Sequence, residues 1–203
     1  MFSPLLFRRA DESDDALFYR QPRFVAHIEP FTIAAVTQLY REILPPNGAI
    51  LDLMSSWISH LPAEINFSKV VGLGMSEAEL AANPVLDEFR VQNLNQNPIL
   101  PFEDAQFDAA TICVSVQYLT CPIEVMRDLG RVLKPNSPLI ITFSNRCFPT
   151  KAVAAWQALD DAGHLGLVAG YLEAAGHWKE IEKLNRTPRG SREPLLAVVA
   201  RRV

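Results

Sequence analysis

Short uninterrupted apolar runs alternate along this chain with stretches whose apolar residues recur at every third or fourth position. Ala49 to Leu53, KVVGLGM from Lys69, FDAATICVSV from Phe107 and SPLIITFSN from Ser137 are of the first kind. Strands that read apolar on both faces belong in a parallel sheet covered on both sides. Between them, PFTIAAVTQLYREIL puts Ile33, Val36, Leu39, Tyr40 and Ile43 on one helical face. Pro30 suits a first helical position, and Pro45-Pro46-Asn47-Gly48 stops that helix. SEAELAAN reads as a helix capped by Ser76, and CPIEVMRDLGRVLK as an amphipathic helix ending before Pro135. In NGAILDLMSSWISHLP a turn into a further helix is expected after the first strand.

Beyond Asn145 the rhythm changes. PTKAVAAWQALDDAG and HLGLVAGYLEAAG predict two successive helices ended by Gly163 and Gly176, and the tail from His177 predicts two strands around a loop, an antiparallel hairpin. Strands alternating with helices predict a doubly wound α/β architecture. The 203 residues suffice for one well-buried core, so 1–203 is expected to be a single domain. Residues 1–25 combine clustered acids with Phe18 and Tyr19 and are expected to form a lid or to plug an edge of the core.

Composition narrows the partners. A net charge of −4 argues against coating nucleic acid or an anionic membrane, which needs an excess of Lys and Arg. No apolar run approaches the ~20 residues of a bilayer span, and a cytoplasmic protein with a small-molecule partner is expected. Cys113, Cys121 and Cys147 show no paired spacing, so neither a disulfide framework nor a metal site is indicated. Oligomeric state is left open.

In an open parallel sheet, ligands bind beyond the carboxyl ends of the strands where strand order reverses. The residues ending the predicted strands are therefore the candidates. AILDLM, VVGLGMSEAEL, NPILPFEDAQFDAATICVSVQYL and IEVMRDLGRVLKPNSPLIITFSN, in this order, resemble the class I S-adenosylmethionine-dependent methyltransferases of the small LPFxDxxFD type, in a subgroup with a degenerate glycine motif. The resemblance implies a Rossmann-like, mostly parallel seven-stranded sheet with a C-terminal antiparallel hairpin. It also implies S-adenosyl-L-methionine as cofactor and methyl transfer to a small molecule.

Position by position, Asp52 matches the family's first acid, while Met54, Ser56 and Ile58 stand where glycines are usual. Gly74 replaces the acid that holds the ribose, so an Asp there is expected to restore a contact, and Glu77 is a candidate replacement carboxylate. Asn93 matches the adenine contact. Ser55, Met75, Leu94, Ser115 and Gln117 complete the implied cofactor set, and Tyr19, His27, Tyr118 and Arg146 are the candidates on the acceptor side. Cys147, and Ser56 with His60, lack the local signatures of catalytic nucleophiles. The glycine-poor turn keeps a second function open, a non-catalytic binding module that has lost the cofactor or takes another nucleotide-like ligand.

Overall fold

A computed structural model describes residues 2–203. The regular elements are helices α1 (Asp15–Phe18) and α2 (Pro30–Ile43), strands β1 (Ala49–Leu53) and β2 (Lys69–Gly74), helix α3 (Glu77–Ala82), strands β3 (Glu88–Val91) and β4 (Ala109–Cys113), helix α4 (Pro122–Val132), strand β5 (Pro138–Phe143), helices α5 (Ala154–Gln157) and α6 (Asp161–Ala175), and strands β6 (Trp178–Asn185) and β7 (Leu196–Arg202). They build one seven-stranded sheet in the order β3-β2-β1-β4-β5-β7-β6. The first five strands of that order run parallel, and β7 is antiparallel to both β5 and β6. The expected doubly wound sheet and its closing hairpin are both present.

Alternate strand residues feed two apolar layers. Ile50, Ala109, Ile140 and Ala197 meet Val36, Leu39 and Tyr40 of α2 on one face. Leu51, Ile112, Ile141 and Val198 meet α4 and α6 on the other. Because side chains on a strand alternate with period two, sandwiching the sheet requires both sets to be apolar, and this produces the uninterrupted runs.

LPFEDAQFD is held as scaffold. Phe107 is fully buried with its ring edge-on to Phe102, and Asp108 accepts the Ala49 N–H at 2.9 Å while pairing with Lys134 at 2.7 Å. Asp128 of α4 accepts the Leu100 N–H at 2.6 Å, and Arg131 binds both Asp128 oxygens and the carbonyls of Leu100 and Phe102.

Three expectations are corrected. No helix follows β1: residues 54–68 cross to β2 as an irregular segment. The helix expected over 149–163 is reduced to the single turn α5, because Asp160 accepts the Gly163 N–H at 2.8 Å and starts α6 there. Gly163 therefore lies in the first turn of α6, whereas Gly176, at φ 81°, ends that helix as expected. The apolar run of β4 stops at Cys113, because Val114 turns to φ 49°.

The N-terminal segment is anchored rather than loose. Phe2 and Phe7 pack on Tyr171 of α6 at 5.5 and 5.9 Å between ring centroids. Its acids are not all solvated. Asp15 is 5% exposed and meets Arg9 at 2.8 Å and Lys151 at 3.3 Å.

Candidate active site

The strand order reverses between β1 and β4, and a cavity of about 300 Å³ opens there, beyond the carboxyl ends of the parallel strands. Its wall includes Asp52, Met54, Ser55, Ser56, Gly74, Met75, Asn93, Leu94 and Ser115 from the implied cofactor set, and Tyr19, His27, Tyr118 and Arg146 from the acceptor set. Gln117 is not brought in. It is 1% exposed, and its amide nitrogen donates to the Val114 carbonyl at 3.0 Å.

The glycine-free turn is held by side-chain oxygens. Asp52 is 3% exposed and accepts from Ser55 and Ser59 hydroxyls, each at 2.6 Å, and from Thr111 at 3.0 Å. Asn83 then donates to the Ser56 carbonyl and the Ser59 hydroxyl, both at 2.8 Å. Burial pushes the Asp52 carboxyl up, and the three hydroxyls work against that shift. Met54 takes the left-handed conformation, φ 58°, that a glycine would adopt more cheaply. Val114 does the same after β4, and for a β-branched residue this is a strained conformation. Both strained residues therefore follow strands that flank the reversal, the kind of place where fold energy is held for function.

The Ser55 N–H bonds to the Leu73 carbonyl at 2.8 Å, laying the turn across the end of β2. A Cβ at position 74 would stand 2.2 Å from the Ser55 carbonyl oxygen. Gly74 is thus required by the turn, and the expectation that an Asp there restores a ribose contact is overturned. Glu77 is also the wrong carboxylate, since it faces solvent. Glu79, two residues further on, is 6% exposed, lines the cavity, and accepts from Ser56 Oγ at 2.5 Å and from the Arg23 N–H at 2.8 Å. It was not singled out from the sequence; Ser76-x-x-Glu79 has the spacing of a capping box, which would fold the glutamate back on its own helix. Ser76 does accept the Glu79 N–H, at 3.4 Å, but the carboxylate turns away into the cavity.

On the opposite wall, Tyr118 accepts the Phe148 N–H at 2.9 Å, and burial pushes its phenol up to about 12. Burial raises the Tyr19 phenol further and lowers His27, which keeps the imidazole neutral at pH 7. The His27 ring lies edge-on to Phe148 at 5.4 Å. Arg146 pairs with Glu193 at 3.0 Å and with Glu29 at 3.5 Å. The site thus joins a strained, hydroxyl-held turn, two carboxylates bound only by neutral donors, and an aromatic wall carrying a neutral imidazole.

Comparison with known proteins places this architecture. The family described as "Methyltransferase domain" matches residues 55–141. No curated protein sequence matches the chain. Among solved structures, an S-adenosylmethionine-dependent methyltransferase from Mesorhizobium loti is similar at TM-score 0.58 and 18% identity, over 83% of this chain and 98% of that one. The [4+2]-cyclase SpnF is similar at TM-score 0.60 and 18% identity, over 82% and 79%. Phosphoethanolamine N-methyltransferase 2 from Haemonchus contortus, in complex with S-adenosyl-L-methionine, is similar at TM-score 0.59 and 14% identity, over 84% and 52%. The protein has the class I S-adenosylmethionine-dependent methyltransferase fold, as the sequence motifs implied, and the family match lies within it. Among the described residues no helix is long and apolar enough to cross a membrane.

Proposed function

We propose that the cavity binds S-adenosyl-L-methionine and that the protein transfers its methyl group to a small-molecule acceptor. The observation that carries this reading is the pair of buried carboxylates, Asp52 and Glu79. They line one cavity and accept hydrogen bonds from hydroxyls and a backbone N–H only. A buried anion without a basic partner is costly, and a cationic ligand relieves that cost. When bound, the cofactor supplies an activated methyl on a positively charged sulfur, so the protein has chiefly to align the partners and exclude water.

Each residue then has a task. Asp52 holds the turn through Ser55 and Ser59 and sets negative charge behind it. Glu79 supplies the carboxylate for the ribose hydroxyls that the end of β2 lacks. Asn93 and Leu94 border the adenine, and Gly74 keeps the floor flat. His27, neutral, accepts the proton released when the acceptor is an alcohol or an amine. Tyr19 and Tyr118 close the wall above it.

Calorimetric titration with S-adenosylhomocysteine tests the reading. Saturable binding is expected, and Glu79→Gln is expected to weaken it about tenfold or more, the equivalent of ~1.4 kcal/mol. Absence of binding at millimolar ligand would refute it. A second reading, a binding module without turnover, is favoured by the missing helix after β1, which removes a helix N-terminus from the ligand's surroundings. The cyclase among the similar structures shows that reaction type does not follow from this fold. Binding without methyl transfer to any of a panel of alcohols and amines would support that second reading.

A further inference from the structure

We propose that the acceptor carries no negative charge near its reacting atom, and that the cavity selects an uncharged or cationic molecule with an apolar or aromatic body. The inference deepens the methyl-transfer reading and rests on it for the word acceptor; its content rests on how the charges of the cavity are paired.

Three basic side chains line the cavity, Arg9, Lys151 and Arg146. Arg9 is bound to Asp15 at 2.8 Å. Lys151, 1% exposed, is bound to Asp11 at 3.1 Å, to Asp15 at 3.3 Å and to the Ser13 carbonyl at 2.8 Å. Arg146 lies between Glu193 and Glu29. Glu193 is 2% exposed and also accepts the Glu29 N–H at 2.7 Å, so it cannot swing away without stranding a buried donor.

Among the described residues that line the cavity, no lysine or arginine is left without an acid partner. On the acid side Asp52 and Glu79 have neutral donors only, and Arg146 faces two carboxylates for its one charge. An anionic acceptor would have to break an existing pair and then approach carboxylates that already lack cations. Part of the wall is apolar or aromatic: Tyr19, Val25, Ile28, Tyr118, Leu119 and Phe148. Arg23 has no acid partner and its Nη1 is unbonded, but it is not part of the cavity wall: its guanidinium sits over the Phe18 ring at 4.3 Å and its Nη2 donates to the Phe18 carbonyl at 3.0 Å.

Benzyl alcohol, benzylamine and benzoate form a matched set for the test, which reads saturation-transfer NMR on the full chain first titrated with S-adenosylhomocysteine. Benzyl alcohol or benzylamine is expected to bind at least about tenfold more tightly than benzoate. In Glu29→Gln, which leaves Arg146 with a single acid, the gap is expected to narrow. Benzoate binding as tight as the other two, an unchanged gap in Glu29→Gln, or no binding of any probe would each overturn the proposal. The first titration separates the two ideas. If S-adenosylhomocysteine fails to bind, the cofactor reading falls alone, and the same order of probes is expected on the ligand-free protein.

Discussion

Two irregular segments of this molecule are each organised by one buried carboxylate, and the two carboxylates are treated oppositely. In residues 99–108, Asp128 receives the Leu100 N–H and both of its oxygens are bound by Arg131. In residues 54–68, Asp52 receives three hydroxyls and no cation. The first arrangement closes on itself, since charge, donors and acceptors are all matched within the protein. The second leaves a buried charge whose compensation has to come from elsewhere. The contrast teaches that scaffold and site can use the same residue type in the same local role and still be told apart by whether the charge is neutralised internally.

The largest expected effect comes from breaking the closed arrangement. Asp128→Ala strands the Leu100 N–H and the Arg131 guanidinium, a loss of about 2–3 kcal/mol after allowing for the partly exposed arginine. For a chain of this length that lowers the melting temperature by roughly 4–12 °C, read by circular dichroism. A fall no larger than that of an exposed control in the same segment, Glu103→Ala, would show that the loop is held by packing alone.

Next comes the turn. Gly74→Ala drives a Cβ into the Ser55 carbonyl and is expected to destabilise by about 1–3 kcal/mol, with S-adenosylhomocysteine affinity falling too as Ser55 and Ser56 are displaced. Gly166→Ala is the matched control, because nothing lies within 4 Å of a Cβ there and the site is helical. It is expected to be neutral or stabilising by about 0.5–1 kcal/mol. Equal melting temperatures for the two variants would mean that the turn moves freely.

The smallest effects are in pH dependence, and they have opposite signs. For Asp128, burial works to raise the pKa, but the Arg131 and Leu100 hydrogen bonds outweigh it and hold the carboxyl low. Its stabilisation is present above the ordinary carboxylate pKa and is lost as pH falls through the lowered value. For Asp52, burial raises the pKa, so its contribution is greatest below the ordinary value and is lost as pH rises through the raised one. Urea midpoints measured from about pH 3 to 7 should show Asp128→Asn flattening the acid-side decline and Asp52→Asn flattening the loss on the alkaline side. Both variants changing the slope in the same direction would erase the distinction between the two carboxylates.

Strands β1, β2, β4 and β5, helices α2 and α4 and the closing hairpin were legible in the chain because each depends on a local pattern: an apolar run, a 3.6-residue period, a capping residue, a glycine at a helix end. The position of the cavity was legible as well, since it follows from topology once parallel strands alternate with helices. Three features came only from the tertiary structure. The segment after β1 is not helical because Asp52, itself held by Thr111 from β4, captures the Ser55 and Ser59 hydroxyls, and Asn83, distant in sequence, binds the Ser56 carbonyl and the Ser59 hydroxyl. Gly74 reads locally as a missing acid, yet the Ser55 carbonyl, nineteen positions earlier in the numbering, leaves room for nothing else. Glu79 carries no distinguishing signal in the sequence, and only the fold brings Ser56 and Arg23 beside it. Local sequence determines which conformations a segment prefers, but which buried polar group finds a partner depends on what the fold brings within hydrogen-bonding distance, and in this protein that is what makes the site.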